Sequence, residues 1–328
     1  MKFEHIIGID VSKATVDFCI LGEVQSDGTL ENRPKKLQLF FKSLKLDPRK
    51  TLVCLEHTGV YNIHLVEVLC KLGFHVWLES ALRIKRSIGM VRGKSDKIDA
   101  GRIAKYAFLH QEQANLWIPS REIIKSLKSL LSQRARLIKA KLILITPIEE
   151  LAGLGLKKNL ATLKRSFRSS LAALKNDIKA LTAAIHKVIL SDEKLKELFS
   201  YITSVPNIGP ITAAKILVST DEFNKIIDAK KYACHVGVAP FEHTSGTSLK
   251  GKSRVSHLAN KEMKTMLHLA SLSSISRSGE FKDYFDRRVK EGKNKMLVIN
   301  AIRNKLIHRI FACVKEKRNY VKKGLQVA

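Results

Sequence analysis

The sequence predicts an α/β N-terminal part followed by a helical segment and a mainly α-helical C-terminal part. Three observations carry this. Apolar, β-branched runs of strand length are gathered before residue 79. Apolar residues then recur at helical and heptad spacing from Ile123 onward. Acidic residues concentrate in the first part and basic ones in the later parts.

Residues 3–10 form a short apolar strand and residues 15–21 a second, β-branched and aromatic one, with residues 11–14 short enough for a hairpin. Residues 29–46 read as strand, then amphipathic helix. Residues 51–55 are a third apolar run, followed by Glu56. Between Tyr61 and Leu72, Ile63, Val66, Leu69 and Cys70 keep helical spacing, and Gly73 closes the helix. Residues 75–78 are another strand, and Ser95 fits the N-cap of a helix running to about His110.

In the middle segment, Phe167, Leu174, Leu181 and Val188 repeat every seven residues, as do Leu171, Ile178 and Ile185, which is the seam of a coiled coil. A comparable stripe starts at Ile123 and Ile124, continues through Leu127, Leu130, Leu131, Leu137 and Ile138, and breaks around Pro147 and residues 153–155. Two antiparallel helices joined near 147–158 follow, either as an ordinary globular pair or as a coiled coil between subunits. Residues 205–214 resemble half of a helix-hairpin-helix, a turn whose N–H groups face a DNA phosphate, with Asn207 at the usual first glycine. A plain inter-helix turn is the alternative. A basic helix from about Lys293 to Tyr320 ends the pattern.

Composition narrows the function. Of 328 residues 45% are hydrophobic, with only 17 Gly and 7 Pro, so the chain buries a core and is neither disordered nor fibrous. No apolar run approaches about 18 residues and no signal segment opens the chain, so a cytoplasmic protein without a membrane partner is expected. Cys19, Cys54, Cys70, Cys234 and Cys313 are scattered and read as small apolar residues in a reducing compartment. Fifty-nine Lys+Arg against 30 Asp+Glu leave a net +29. That surplus calls for a polyanion, nucleic acid before the alternative of a generally basic ribosome-associated or membrane-peripheral surface. Residues 1–118 hold 18 basic and 13 acidic side chains, 119–200 hold 17 and 7, 201–240 hold 4 and 3, and 241–328 hold 20 and 7. An acid-centred chemical module followed by modules that grip a polyanion is the natural reading.

Asp10 and Glu56 end two strands, while Asp96 and Asp99 lie three apart at a helix start and share one face. Carboxylates so placed suit two-metal cleavage of a phosphodiester, which needs hard oxygen donors for Mg²⁺, with Mn²⁺ the alternative ion. Taken singly, each acid also fits a solvated surface position or a helix N-terminal charge.

The runs Gly8-Ile9-Asp10-Val11-Ser12-Lys13, Glu56-His57-Thr58-Gly59 and Lys94-Ser95-Asp96-Lys97-Ile98-Asp99-Ala100 together resemble the DEDD transposases of bacterial insertion sequences, the "one-ten" family related to the pilin-gene invertase. The similarity covers nearly the whole chain in order. It implies a RuvC-like catalytic domain of RNase H-like fold over 1–118, with Asp10, Glu56, Asp96 and Asp99 as the Mg²⁺ tetrad. It implies a coiled-coil segment over 119–200 and a C-terminal transposase domain over 201–328. Residues 237–240 followed by Thr244-Ser245-Gly246 match the family's serine element and place the nucleophile at Ser245, with Ser248 as a neighbouring alternative. Downstream, Ala259 stands for the family's glycine and Lys264 for its arginine, while Asn260 keeps the asparagine. The resemblance further implies double-stranded donor and target DNA, a structured non-coding guide RNA, and a homo-oligomer, dimer or tetramer, in which the serine of one subunit completes the metal site of another.

Three functions compete at this level. The first is an insertion-sequence recombinase that forms a phosphoserine link. The second is a RuvC-like Holliday-junction endonuclease using the four carboxylates and water, and the third a non-catalytic nucleic-acid-binding protein. His57 beside Glu56 orients the metal site or packs, and His243 is a candidate proton carrier for Ser245.

Overall fold

The computed structural model describes residues 2–22, 25–57, 59–89, 96–245 and 249–321. It divides into two compact units, Met1–Pro119 and Ser120–Ala328.

In the first unit, β1 (His5–Val11) and β2 (Thr15–Leu21) form an antiparallel hairpin. Ser12 closes it, its N–H donating to the Thr15 carbonyl at 2.9 Å. The region 29–46 resolves into the end of β3 (Ser26–Glu31), antiparallel to β2, and α1 (Pro34–Ser43). β4 (Thr51–Glu56) then enters parallel to β1, and α2 (Ile63–Lys71) leads to β5 (His75–Glu79), parallel to β4. The resulting mixed sheet, ordered β3-β2-β1-β4-β5, is consistent with an RNase H-like fold. α3 (Ala81–Ile88) and α4 (Asp96–His110) complete the unit. Ser95, the expected N-cap of α4, lies outside the described residues.

Both faces of this sheet are covered, which is why its central strands read as unbroken apolar runs. Ile7, Ile9, Val53 and Leu55 pack against Leu37 and Phe41 of α1 and Leu65 and Leu69 of α2. Ile6, Leu52, Cys54 and Trp77 pack on the opposite face against Ile84 of α3 and Ile103, Tyr106 and Ala107 of α4. Between these, α4 touches β1 backbone to backbone. A Cβ on Gly8 would come within 2.1 Å of the Ala104 nitrogen and 2.4 Å of the Ala100 oxygen.

The second unit opens with a helical hairpin, α5 (Glu122–Gly153) and α6 (Lys157–Leu190). The expected break at Pro147 does not occur, since α5 runs through it to Gly153. The proline falls within the last two turns, where one lost hydrogen bond is a small cost against pairing with α6. Arg134 Nε donates to Thr182 Oγ1 across the hairpin at 2.8 Å. At its base, Ile124, Leu127 and Leu131 of α5 and Ile185 and Ile189 of α6 enter the main core, while Leu171, Leu174, Ile178 and Leu181 stay half-buried along the seam.

α7 (Glu193–Ser204), α8 (Pro210–Thr220), α9 (Ala229–His235), the two-stranded β6 (Phe241–Ser245) and β7 (Leu249–Arg254), α10 (Lys261–Ile275), α11 (Glu280–Lys290) and α12 (Lys295–Lys315) follow. In the α7–α8 turn Asn207 takes φ 65°, the left-handed conformation for which a hairpin glycine is normally used and which Asn tolerates. Arg121 ties the start of α5 to two other elements. It donates to both oxygens of Asp192, the N-cap of α7, at 2.8 and 2.9 Å, and to Glu222, which is 3% exposed. Glu222 stands in a run of three left-handed residues, Asp221 to Phe223, after α8. Among the described residues no helix is long and apolar enough to cross a membrane.

Two variants test this account. Gly8→Ala is expected to force α4 off the sheet at a cost of about 3 kcal/mol, lowering the urea midpoint read by fluorescence, because Trp77 and Trp117, the two tryptophans of the chain, lie in the first unit. Arg121→Met removes the hydrogen-bonded guanidinium from the buried Glu222 carboxylate, leaving only Lys194 at 3.9 Å, and should cost about 2 kcal/mol. Here the loss appears in the far-ultraviolet circular dichroism of the helical unit, while the tryptophan transition stays in place.

Candidate active site

Side chains alternate across a strand, so Asp10 lies on the same face of β1 as Gly8, the face that α4 covers. Gly8 pairs with Cys54 on β4, and the Ile9–Leu55 pair carries the same register on to Asp10 and Glu56. Both carboxylates therefore sit at adjacent strand ends beneath the first turns of α4. Asp99 comes from those turns, one residue before the Ala100 carbonyl that approaches Gly8. The Glu56 carboxyl is pushed above its ordinary range, by burial first and then by the negative charges of Asp10 and Asp99. Arg102 Nη1 donates to Asp99 Oδ1 at 2.8 Å, holding a positive charge beside the group. Asp96 is the first residue of α4, and its side chain lies outside the described residues. The structure thus brings together Asp10, Glu56 and Asp99.

These are hard oxygen donors in mutual repulsion, the donor chemistry that a divalent cation satisfies. Among the described residues no three His, Cys, Asp or Glu side chains converge closely enough to form a finished metal cage. His57 is exposed, and its backbone N–H donates to the Glu79 carbonyl at 3.0 Å.

Two further acids extend the row across the sheet, and sequence reasoning missed both. Asp17 is the direct cross-strand partner of Asp10; it is 6% exposed and accepts from Thr29 Oγ1. Glu79 is the partner of Glu56 on β5, equally buried. Its Oε1 accepts from the Ser80 N–H at 2.7 Å, and its Oε2 from Arg83 Nη1 and the Tyr106 hydroxyl, both at 3.2 Å. The Tyr106 phenol is pushed up to about 12, by burial first and then by Glu79. Glu79 thus spends its oxygens on holding α3 and α4 to the end of β5. The available signal was the parallel between Cys54-Leu55-Glu56 and Trp77-Leu78-Glu79, each an apolar run ending in an acid.

In the second unit Ser245 is the last residue of β6 and pairs with Leu249 of β7. A strand end, and not an open loop, holds this serine. Ser248 lies outside the described residues, as do the side chains of His243 and Ser245. The approach to β6 is built tightly. Gly237 takes φ 67°, and a Cβ there would come within 2.7 Å of the Ala259 Cβ. The Asn260 N–H donates to the His235 carbonyl at 2.9 Å, while Asn260 Oδ1 caps α10.

Comparison with known proteins gives two family matches in the same order. A transposase model of the DEDD, IS110 type covers residues 7–151. A model described as transposase IS116/IS110/IS902 family covers residues 200–286. Asp10, Glu56, Asp96 and Asp99 fall in the first match and Ser245 in the second. The chain is 26% identical over 332 residues to the pilin gene-inverting protein of Moraxella bovis, covering 97% of this chain and 98% of that one. It is 27% identical to the pilin gene-inverting protein of Moraxella lacunata over the same shares. An uncharacterized 43.6 kDa protein of insertion element IS110 from Streptomyces coelicolor is 26% identical over 47% of this chain and 37% of its own length. With both segments in sequence and the strand-end carboxylates grouped under α4, the chain belongs to the IS110 family of DEDD transposases.

Proposed function

We propose that the protein cleaves and rejoins DNA strands as an insertion-sequence recombinase, using a carboxylate centre built from Asp10, Glu56, Asp96 and Asp99 and a serine nucleophile at Ser245. The observation that carries the reading is the grouping of Asp10, Glu56 and Asp99, three acids distant in sequence, at one end of the sheet. The family generally works with divalent metal ions. The four carboxylates would hold Mg²⁺, or Mn²⁺ in its place, which when bound supplies charge neutralisation and Lewis acidity at a phosphodiester.

The residues of this chain have separate tasks. Asp10 and Glu56, on rigid parallel strands, fix one side of the centre, and Asp99 closes it from α4. Ser245 Oγ forms a bond to phosphorus as the P–O bond to the leaving strand breaks. The serine loses its proton and the leaving oxygen gains one. No oxidation or reduction is involved, and the phosphoserine link keeps the ester energy for rejoining by a strand hydroxyl. The division of labour follows the expected boundaries: residues 1–118 for metal chemistry, 119–200 as a coiled-coil assembly segment, and 201–328 for the serine and for gripping strands. The surplus charge of the later segments suits donor and target DNA and a structured guide RNA, read by backbone shape. Leu142, Ile143 and Leu154, apolar and exposed on the hairpin, suit pairing into a dimer or tetramer. Such a protein works in the cytoplasm on nucleoid DNA.

A covalent adduct is the deciding measurement, because a water-using junction endonuclease leaves none. With cognate DNA and Mg²⁺, the wild-type protein is expected to give a protein–DNA band on denaturing gels, and Ser245→Ala none. Asp10→Ala and Ser245→Ala should each lower strand exchange by roughly 10³-fold or more with DNA binding retained. An adduct formed by Ser245→Ala but not by Ser248→Ala would move the nucleophile to Ser248.

A further inference from the structure

The helical unit contains a cationic cluster that no acid among the described residues neutralises. Arg303 of α12 is 6% exposed. Its Nη2 lies 2.6 Å from His268 Nδ1 on α10 and its Nη1 3.2 Å from Asn300 Oδ1, while its buried Nε has no partner. A guanidinium offers only donors, so His268 Nδ1 is the acceptor, the imidazole is neutral, and Nε2 carries a proton ready to donate. Lys264 stands one turn earlier on the same face of α10. Burial holds both His268 and Lys264 below their ordinary ranges, with the charge of Arg303 the second cause for each, so the three groups share one environment.

Three other cations of this unit show the usual arrangement, a carboxylate partner. Arg121 has Asp192 and Glu222, Arg309 has Glu280, and Lys215 has Glu262. Among the described residues no carboxylate pairs with Arg303, Lys264 or His268. A buried guanidinium left unpaired is costly, and the described residues supply no counter-ion for it.

Position says which anion. Asn300, bonded to Arg303, donates through Nδ2 to the Val238 carbonyl at 2.8 Å. A Cβ on Gly237 would lie 3.9 Å from Lys264 Cδ. The cluster therefore underlies the turn at 237–240 that feeds directly into β6, the strand ending at Ser245. The Asn260-capped N-terminus of α10 adds its partial positive charge at the same place.

We propose that Arg303, Lys264 and His268 form an oxyanion site that takes the phosphate of a DNA strand lying along the β6 approach. The imidazole Nε2 and the Lys264 ammonium donate to non-bridging oxygens, and the buried Arg303 guanidinium, holding His268 through Nη2, adds its charge from behind. No bond is made or broken at these residues. The serine reading is needed only to identify this phosphate with the one that is attacked; occupancy by a phosphate is independent of it.

Thermal denaturation of the full-length protein, with inorganic phosphate replacing chloride at constant ionic strength, tests occupancy. Wild type and Ser245→Ala are expected to show the same rise in Tm. Arg303→Lys, which keeps a charge but loses the fork, and the half-buried Lys264→Gln should lose most of that rise. The site is overturned if wild type gains nothing over chloride, or if Lys264→Gln, folded by circular dichroism, rises as wild type does. Because Ser245→Ala keeps the rise, failure of the covalent chemistry and failure of this site give different results. The salt dependence of binding to DNA and RNA duplexes of equal length tests the source. Lys264→Gln should lower the slope of log K against log salt by about one on DNA, and a loss on RNA alone or on neither duplex overturns the assignment to DNA.

Discussion

The N-terminal unit depends on an absent side chain. With no Cβ at residue 8, the backbone of α4 at Ala100 and Ala104 rests against β1 at a distance that no other residue permits. That contact fixes the height of α4 above the sheet, and Asp99 adjoins it in sequence. The distance between the helix-borne and strand-borne acids is therefore set by packing between main chains, which is stiffer than any side-chain contact. Tyr106, two turns further along, repeats the anchoring by reaching Glu79. Glycine inside a strand is normally a loss; here it purchases precision at the carboxylates.

How much of this was legible in the sequence follows from where each signal lies. Strands β1, β2, β4 and β5 could be read because burial on both faces leaves a plain apolar run. Asp10 and Glu56 could be read because they interrupt those runs at the ends. Asp17 could not, since a cross-strand neighbour is defined by register, which leaves no trace in local pattern; Glu79 ends its run as Glu56 does, and only the fold shows that its oxygens go to Arg83 and Tyr106. Pro147 looked like a terminus because propensity cannot weigh tertiary pairing against one missing hydrogen bond. Arg303 was hidden differently. In a C-terminal helix full of Lys and Arg, one buried guanidinium has the same letter as its solvated neighbours.

The net charge of +29 is accordingly of two kinds. Most of it is solvated and attracts any polyanion over a distance set by salt. A small part is held inside the helical unit, where screening is weak and geometry selects what is bound. Arg121 shows how the fold treats a cation that it uses for itself, surrounding it with Asp192 and Glu222. With no such company among the described residues, Arg303 marks a place where a partner is wanted.

The hairpin of α5 and α6 carries a consequence in length. Described side chains of the main core end at Leu131 on the way out and resume at Ile185 on the return. The 22 residues of α5 from 132 to its end at Gly153 rise about 33 Å at 1.5 Å each. One turn of B-form duplex, about 10 base pairs, advances about 34 Å. An arm of this length is commensurate with the helical repeat of DNA. The free length of α5 beyond the core that anchors its base is thus about one duplex turn.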